Sequence, residues 1–244
     1  MKWMPKWIGK CYARLWIKFG EESFSYYQAK QLLKKYTSNY LSELKKSQSL
    51  FTFGKKTSSR RYRLIPPNIF IYAYGNKITL DWYKESIYTS LLLKFFCVIK
   101  EHLKDDLLAV GIFGSVARGT ATKESDIDIF IIVKNLDMSL FERTKYFIEL
   151  KKDPIVAREI EFLRSQNYNP QLNCYIRKPE ELKINYFTID LSFDMKTMFD
   201  SGFLEKFLNK IEEKIKEKGI KRLFLDEEKY YLDLGLNFGE VYEF

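Results

Sequence analysis

Apolar positions along the first quarter of the chain recur at helical spacing and then begin to alternate. Over "WIKFGEESFSYYQAKQLLKKYTSNYLSELKKSQSLFTFGKKTSSRRYRLIPP" this predicts helix, helix, helix and then a hairpin. Ala29, Leu32 and Leu33 mark a helix that Ser25 can cap, and Tyr40, Leu41 and Leu44 mark the next, with Thr37 or Ser38 at its start. "SLFTF" and "RRYRLI" are the strands, "GKKTSS" the turn, and Pro66 and Pro67 stop the second strand. Between Asp81 and Lys104 the stripe Trp82, Ile87, Leu91, Leu92, Phe95, Phe96 and Ile99 predicts one long helix with Asp81 as its cap.

Strand patterns follow. "DLLAVGIF" is one candidate, and "SDIDIFIIV" is a second that the apolar run after Asp128 marks as central and buried; "QLNCYIR" is a third. "NYFTIDLSFDMKTMFDSG" fits two patterns. As a helix it places Asp190 and Asp194 on one face; as a strand it shares Ile189, Leu191, Phe193 and Met195 on one face and both aspartates on the other. The helix is preferred. Past Asp200, Phe203, Leu204, Phe207, Leu208, Ile211 and Ile215 predict a helix that Gly219 ends, and the tail "YYLDLGLNFGEVYEF" packs or adds an edge strand.

At 244 residues the chain suits two small domains. Its longest apolar stretches are broken by charge, as Lys94 breaks "SLLLKFFCVI", and the N-terminus mixes Trp with Lys and Arg. Neither a membrane span nor a signal peptide is expected, so the protein is read as soluble and cytoplasmic with no membrane partner. Cys11, Cys97 and Cys174 are far apart and His102 is the only histidine, which argues against zinc sites and disulfide frameworks.

Charge changes the picture. Residues 1–75 hold fifteen cations against three glutamates, a net of +12, so the +9 of the whole chain lies entirely in this segment. An asymmetry of this kind points to an anionic partner, and nucleic acid is the expected one. Three helices and a basic hairpin, over about residues 8–75, resemble a winged helix-turn-helix domain. By that resemblance Asn39, Ser42, Lys45 and Lys46 lie on the open side of a recognition helix, and Lys55, Lys56, Arg60, Arg61 and Arg63 lie along phosphates. A solvated hairpin is the alternative reading of those five cations.

The chemistry is concentrated in "GSVARGTATKESDIDIF". Gly114 and Ser115 stand where a strand gives way to a turn, and a glycine there lets backbone amides approach a phosphate. Eleven residues further on, strand alternation turns Asp126 and Asp128 to one side, where two carboxylates repel unless a cation lies between them. Magnesium, held by carboxylates and by substrate phosphates, is the simplest relief.

"GSVARG" followed by "SDIDIF" resembles the signature of the DNA polymerase beta superfamily of nucleotidyltransferases, in its minimal branch. The resemblance spans roughly residues 85–200 and implies an α+β fold, a mixed sheet flanked by helices. It implies Gly114 and Ser115 on the nucleotide phosphates, Asp126 and Asp128 on two Mg2+ ions, and a nucleoside triphosphate substrate, ATP first. Arg118 anchors phosphate or pairs with a carboxylate such as Glu124, and Ser125 supports the turn into the strand beside the nucleotide. Active members carry a third carboxylate on a neighbouring strand, where "QLNCYIR" offers only Asn173. Asparagine cannot be a general base; the next acidic candidates are Asp190 and Asp194, of which Asp190 is taken as the third catalytic residue.

The expected organisation is a winged helix over 1–78, a nucleotidyltransferase domain over 79–200, and a C-terminal helix and tail over 201–244 packed on it. The expected reaction moves a nucleoside monophosphate to a protein, RNA or small-molecule hydroxyl. Relatives in the branch often act beside a small helical HEPN protein as a toxin and antitoxin pair, a partner that the resemblance implies. The alternative is a DNA-binding regulator whose second domain senses nucleotide.

Overall fold

The computed structural model describes residues 2–54, 60–83, 87–226 and 229–236. The chain divides into two compact units, Met1–Glu101 with Asp153–Glu159, and His102–Lys152 with Ile160–Phe244.

In the first unit, α1 (Lys6–Phe19) leads into β1 (Phe24–Ser25), α2 (Tyr26–Leu33), α3 (Thr37–Lys46), β2 (Leu50–Phe53) and β3 (Arg61–Leu64). Ser25 does cap α2, in a reciprocal capping box with Gln28. Helix α3 starts without a side-chain cap, because Tyr36 enters it in a left-handed conformation and the Thr37 hydroxyl turns back to the Lys34 carbonyl. The three strands form one antiparallel sheet in the order β1-β3-β2. Lys55 and Lys56 lie outside the described residues.

Helix α4 (Pro67–Gly75) follows at once, although the sequence pattern marks Pro66 and Pro67 only as a stop. Proline at the first helical position lacks an N–H that would be unpaired there in any case, so one residue both ends a strand and opens a helix. Helix α5 spans Thr89–Leu103, shorter than the expected span from Asp81, and Asp81 lies in a separate turn. From Leu91 to Ile99 every side chain of α5 is buried, Lys94 included. A helix apolar nearly all round is an interior element rather than a striped surface one.

Lys94 ties α5 into the first unit. Its ammonium donates to Glu159 at 2.7 Å and also pairs with Glu21, while Arg63 pairs with the same Glu159. Glu159, at 0% exposure, belongs to the part of the chain that clusters with the first unit. Two buried cations sharing one buried carboxylate bind α5, β3 and residues 153–159 into one body.

The second unit runs β4 (Leu107–Phe113), α6 (Gly114–Arg118), β5 (Ile127–Val133), α7 (Leu140–Lys151), α8 (Pro154–Ser165, whose first residues group with the first unit), β6 (Leu172–Arg177), α9 (Tyr186–Ser192), β7 (Lys196–Asp200), α10 (Phe203–Lys218), β8 (Lys221–Phe224) and β9 (Tyr230–Asp233). Its main sheet is mixed, in the order β6-β5-β4-β7. Strand β4 is antiparallel to β5 and β7, and β5 is parallel to β6.

Leu204 of α10 and Leu191 of α9 pack on Ala109, Phe130 and Ile132, closing one face of this sheet. Phe207 and Ile211 join Ile189, Ile220 and Leu232 in a neighbouring cluster that holds the hairpin β8–β9. The single helix expected through Asp190 and Asp194 is instead α9, a turn, and β7. Thus the helical and the alternating pattern are both present, one after the other. Among the described residues no helix is long and apolar enough to cross a membrane.

Candidate functional site

Register builds the site. Asp128 on β5 stands opposite Phe113 on β4 and opposite Asn173 on β6. By alternation it shares the sheet face of Phe130 and Ile132, at the end of that apolar surface. Asp126 lies just before β5 and is exposed, whereas Asp128 is half-buried. The Asn173 amide joins them, its Nδ2 donating to Asp126 Oδ2 at 3.0 Å and to Asp128 Oδ1 at 3.4 Å.

Electrostatics follow from the crowding. Burial pushes the Asp128 carboxyl above its ordinary value, and the charge of Asp126 adds to this, while the Asn173 hydrogen bond and Arg118 pull it down. An amide N–H pair between two carboxylates offsets only part of their repulsion, and oxygen donors held this close suit a hard divalent cation. Asp126 and Asp128 therefore fit magnesium as ligands.

Gly114 makes the close approach possible. Its φ is +72°, and a Cβ placed on it would run into Asp128 Oδ2, so only glycine brings the start of α6 against this carboxylate. Phe113, Tyr175 and Phe187 form an apolar wall nearby, with centroids 5.2 to 6.0 Å apart. Ser115 lies on α6 beside Gly114. The Ser125 hydroxyl accepts from the Thr122 amide at 2.8 Å, which pins the turn into β5.

Two further expected residues are held by partners of their own. Arg118 pairs with Asp194 at 2.6 Å, not with Glu124. Asp190 is committed to Arg222 and to the Tyr230 hydroxyl, each at 3.1 Å. Among the described residues no group of three or more His, Cys, Asp and Glu side chains comes together as a metal site, so Asp190 is not gathered with Asp126 and Asp128. The cause is local: Asp190 sits on a short helix whose polar side faces the β8–β9 hairpin. Arg222 and Tyr230 do not stand out in the sequence, since nothing local links them to residues thirty to forty positions earlier.

Burial pushes the Cys174 and Cys97 thiols up to about 12 and raises that of Cys11 as well, so none is a ready nucleophile.

In the first unit, Asn39, Lys45 and Lys46 are exposed on α3, with Lys46 paired to Glu43 at 2.6 Å. Lys45, Lys46, Ser42, Gln48 and Tyr83 line a cavity of about 380 Å³. Arg60 is exposed. Arg61 is half-buried and donates to the Ser23 carbonyl at 2.9 Å. Arg63 must be withdrawn as a phosphate ligand, because it is 6% exposed and held by Glu159 and the Glu21 carbonyl. Strand alternation and the β2 pairing turn it inward over the Phe51 ring.

Comparisons with known proteins concern the second unit above all. Residues 96–223 match the model of the nucleotidyltransferase domain family. A Methanocaldococcus jannaschii protein, provisionally named a protein adenylyltransferase, is 31% identical over 149 residues, which cover 59% of this chain and 93% of that protein. A solved structure of a toxin-antitoxin with AMP-PNP aligns with 52% of this chain and 90% of its own, at 15% identity and a TM-score of 0.31. The family match covers more than half of the chain and takes in Gly114, Asp126, Asp128 and the whole mixed sheet, and so the protein belongs to the nucleotidyltransferase domain family and is an enzyme of that type.

Proposed function

We propose that this enzyme transfers a nucleoside monophosphate, AMP first, from a magnesium-bound nucleoside triphosphate to a hydroxyl on a protein and releases pyrophosphate. The observation that carries this reading is the meeting of Asp126 and Asp128 across Asn173, beside a glycine that no other residue can replace without striking Asp128. Asp126 and Asp128 would hold the metal, which when bound supplies positive charge against the phosphates. Gly114 would keep the start of α6 open to a phosphate, Ser115 would offer a hydroxyl donor, and Arg118, at the end of the same short helix, would add a cation. The Phe113, Tyr175 and Phe187 wall excludes water from one flank.

A protein acceptor is favoured over RNA or a small molecule by the name of the Methanocaldococcus jannaschii relative. The resemblance to the minimal branch suggests a small helical HEPN partner as that acceptor. The first unit we read as a winged helix, supported by three helices followed by a strand pair and by its +12 charge. Lys45, Lys46 and Arg60 are the exposed cations that would meet nucleic acid. Label transfer from α-labelled ATP with magnesium and host extract tests the acceptor. A labelled band removed by protease supports the proposal, while one removed by ribonuclease would replace protein by RNA.

A second reading, a DNA-binding regulator that senses nucleotide without turnover, is favoured by one observation. Asn173 pairs directly with Asp128 where a third carboxylate would lie, and it cannot accept a proton from the attacking hydroxyl. Tight triphosphate binding with no transfer to any acceptor would select it.

A further inference from the structure

Arg118 closes α6 one turn after Gly114, and one nitrogen of its guanidinium is anchored. Nη1 donates to Asp194 Oδ2 at 2.6 Å, and the other oxygen of that carboxylate accepts from Arg222 Nη1 at 2.6 Å. Asp194 is 9% exposed, so each of its oxygens needs a cation to offset lost hydration. Arg222 is fixed in turn. Its Nη2 donates to the carbonyl of Asp190 at 2.7 Å and to its carboxylate at 3.1 Å, and its guanidinium lies over the Phe193 and Tyr230 rings. The Tyr230 hydroxyl takes the second oxygen of Asp190.

The two arginines differ in what they leave for a ligand. The Arg222 side chain is 6% exposed and stays inside the network, whereas that of Arg118 is 28% exposed. Arg118 also closes the short helix whose first residue, Gly114, lies against Asp128. An arginine with one nitrogen already pinned loses less rotamer freedom when its remaining donors meet an anion. Without Arg222, both oxygens of Asp194 would compete for Arg118 and draw it inward.

We propose that Asp194 and Arg222 are positioning residues for Arg118, which makes the C-terminal hairpin β8–β9 a working part of the triphosphate site. This rests on the reading that the site binds a nucleoside triphosphate, and it adds that Arg118 is held ready for the phosphates from a distance. A purely structural role for the cluster predicts lost stability with unchanged ligand preference, so the two differ in what they do to phosphate binding.

The test is a double-variant cycle read by calorimetry with the magnesium complexes of the four nucleoside triphosphates and of AMP, with unfolding midpoints recorded alongside. Arg118→Ala and Asp194→Asn should each weaken triphosphate binding about tenfold, leave AMP binding unchanged, and cost no more when combined than Arg118→Ala alone. Asp194→Glu should recover part of the loss. Additive losses, equal losses for AMP and triphosphate, or no loss in Arg118→Ala would overturn the proposal. Should Asp194→Asn not fold, Tyr230→Phe keeps the ring on Arg222, frees one Asp190 oxygen, and allows the same comparison. Failure of the wild type to bind any triphosphate would defeat the nucleotide reading itself, and the first titration shows that separately.

Discussion

Asp128 on β5 and Asp126 just before it meet the same Asn173 amide, and their two-residue spacing is a local property legible in the sequence. Gly114 is legible as a turn residue, but the reason it must be glycine is a close approach across β4 and β5 that only the register shows. Gly114→Ala should cost about 1 kcal/mol of stability or somewhat more, because an alanine at positive φ is strained. It should also abolish magnesium-dependent nucleotide binding, which chemical denaturation and calorimetry together would show. The Arg118–Asp194–Arg222 chain is not legible in the sequence. Its members are 76 and 28 residues apart, and a lone charged residue in sequence says nothing about which distant charge it will meet.

Where one clean period runs through an element it marks that element, although not always its ends, as α5 shows, and a segment with two periods is misread. The α10 stripe and the β4 and β5 runs stand where expected, whereas residues 186–200 hold a seven-residue helix and then a strand, too short for either period to dominate. In α5 the buried Lys94 looks like a break in an apolar run, although it is neutralised by Glu159 and Glu21. Glu159→Gln would leave two buried cations short of a carboxylate, and should lower stability by about 3 kcal/mol in urea unfolding. Another element-level ion pair ties α7 to the short turn Pro179–Glu181, where Arg143 donates to both oxygens of Glu181 at 2.6 and 2.9 Å. The Arg143 hydrogen bonds lower the Glu181 carboxyl from 4.5 to about 2. A depressed carboxylate stabilises the fold above its unfolded value and loses that stabilisation as pH falls. Acid unfolding should therefore show a component between pH 4.5 and about 2 that Glu181→Gln removes.

For the whole molecule, the charge asymmetry is visible in the sequence, but which cations are exposed is not, as Arg63 shows by turning into an ion network. If the first unit binds nucleic acid, Lys45→Glu with Lys46→Glu and Arg60→Glu should weaken duplex binding and flatten its salt dependence by about one unit of slope for each phosphate no longer neutralised. Arg63→Glu is the wrong variant for that purpose, since it would unfold the unit rather than report on a surface. In the second unit two carboxylates and a glycine come together from one motif, and the proposed transfer would take place there. The most direct test of that account is the initial rate of label transfer from α-labelled ATP as magnesium is titrated, comparing wild type with Asp128→Asn after both are shown to be folded. The account predicts magnesium-dependent transfer by the wild type and at least about a hundredfold less by the variant, on the order of the loss when a principal electrostatic group is removed from an active site. Equal rates from the two proteins would contradict it.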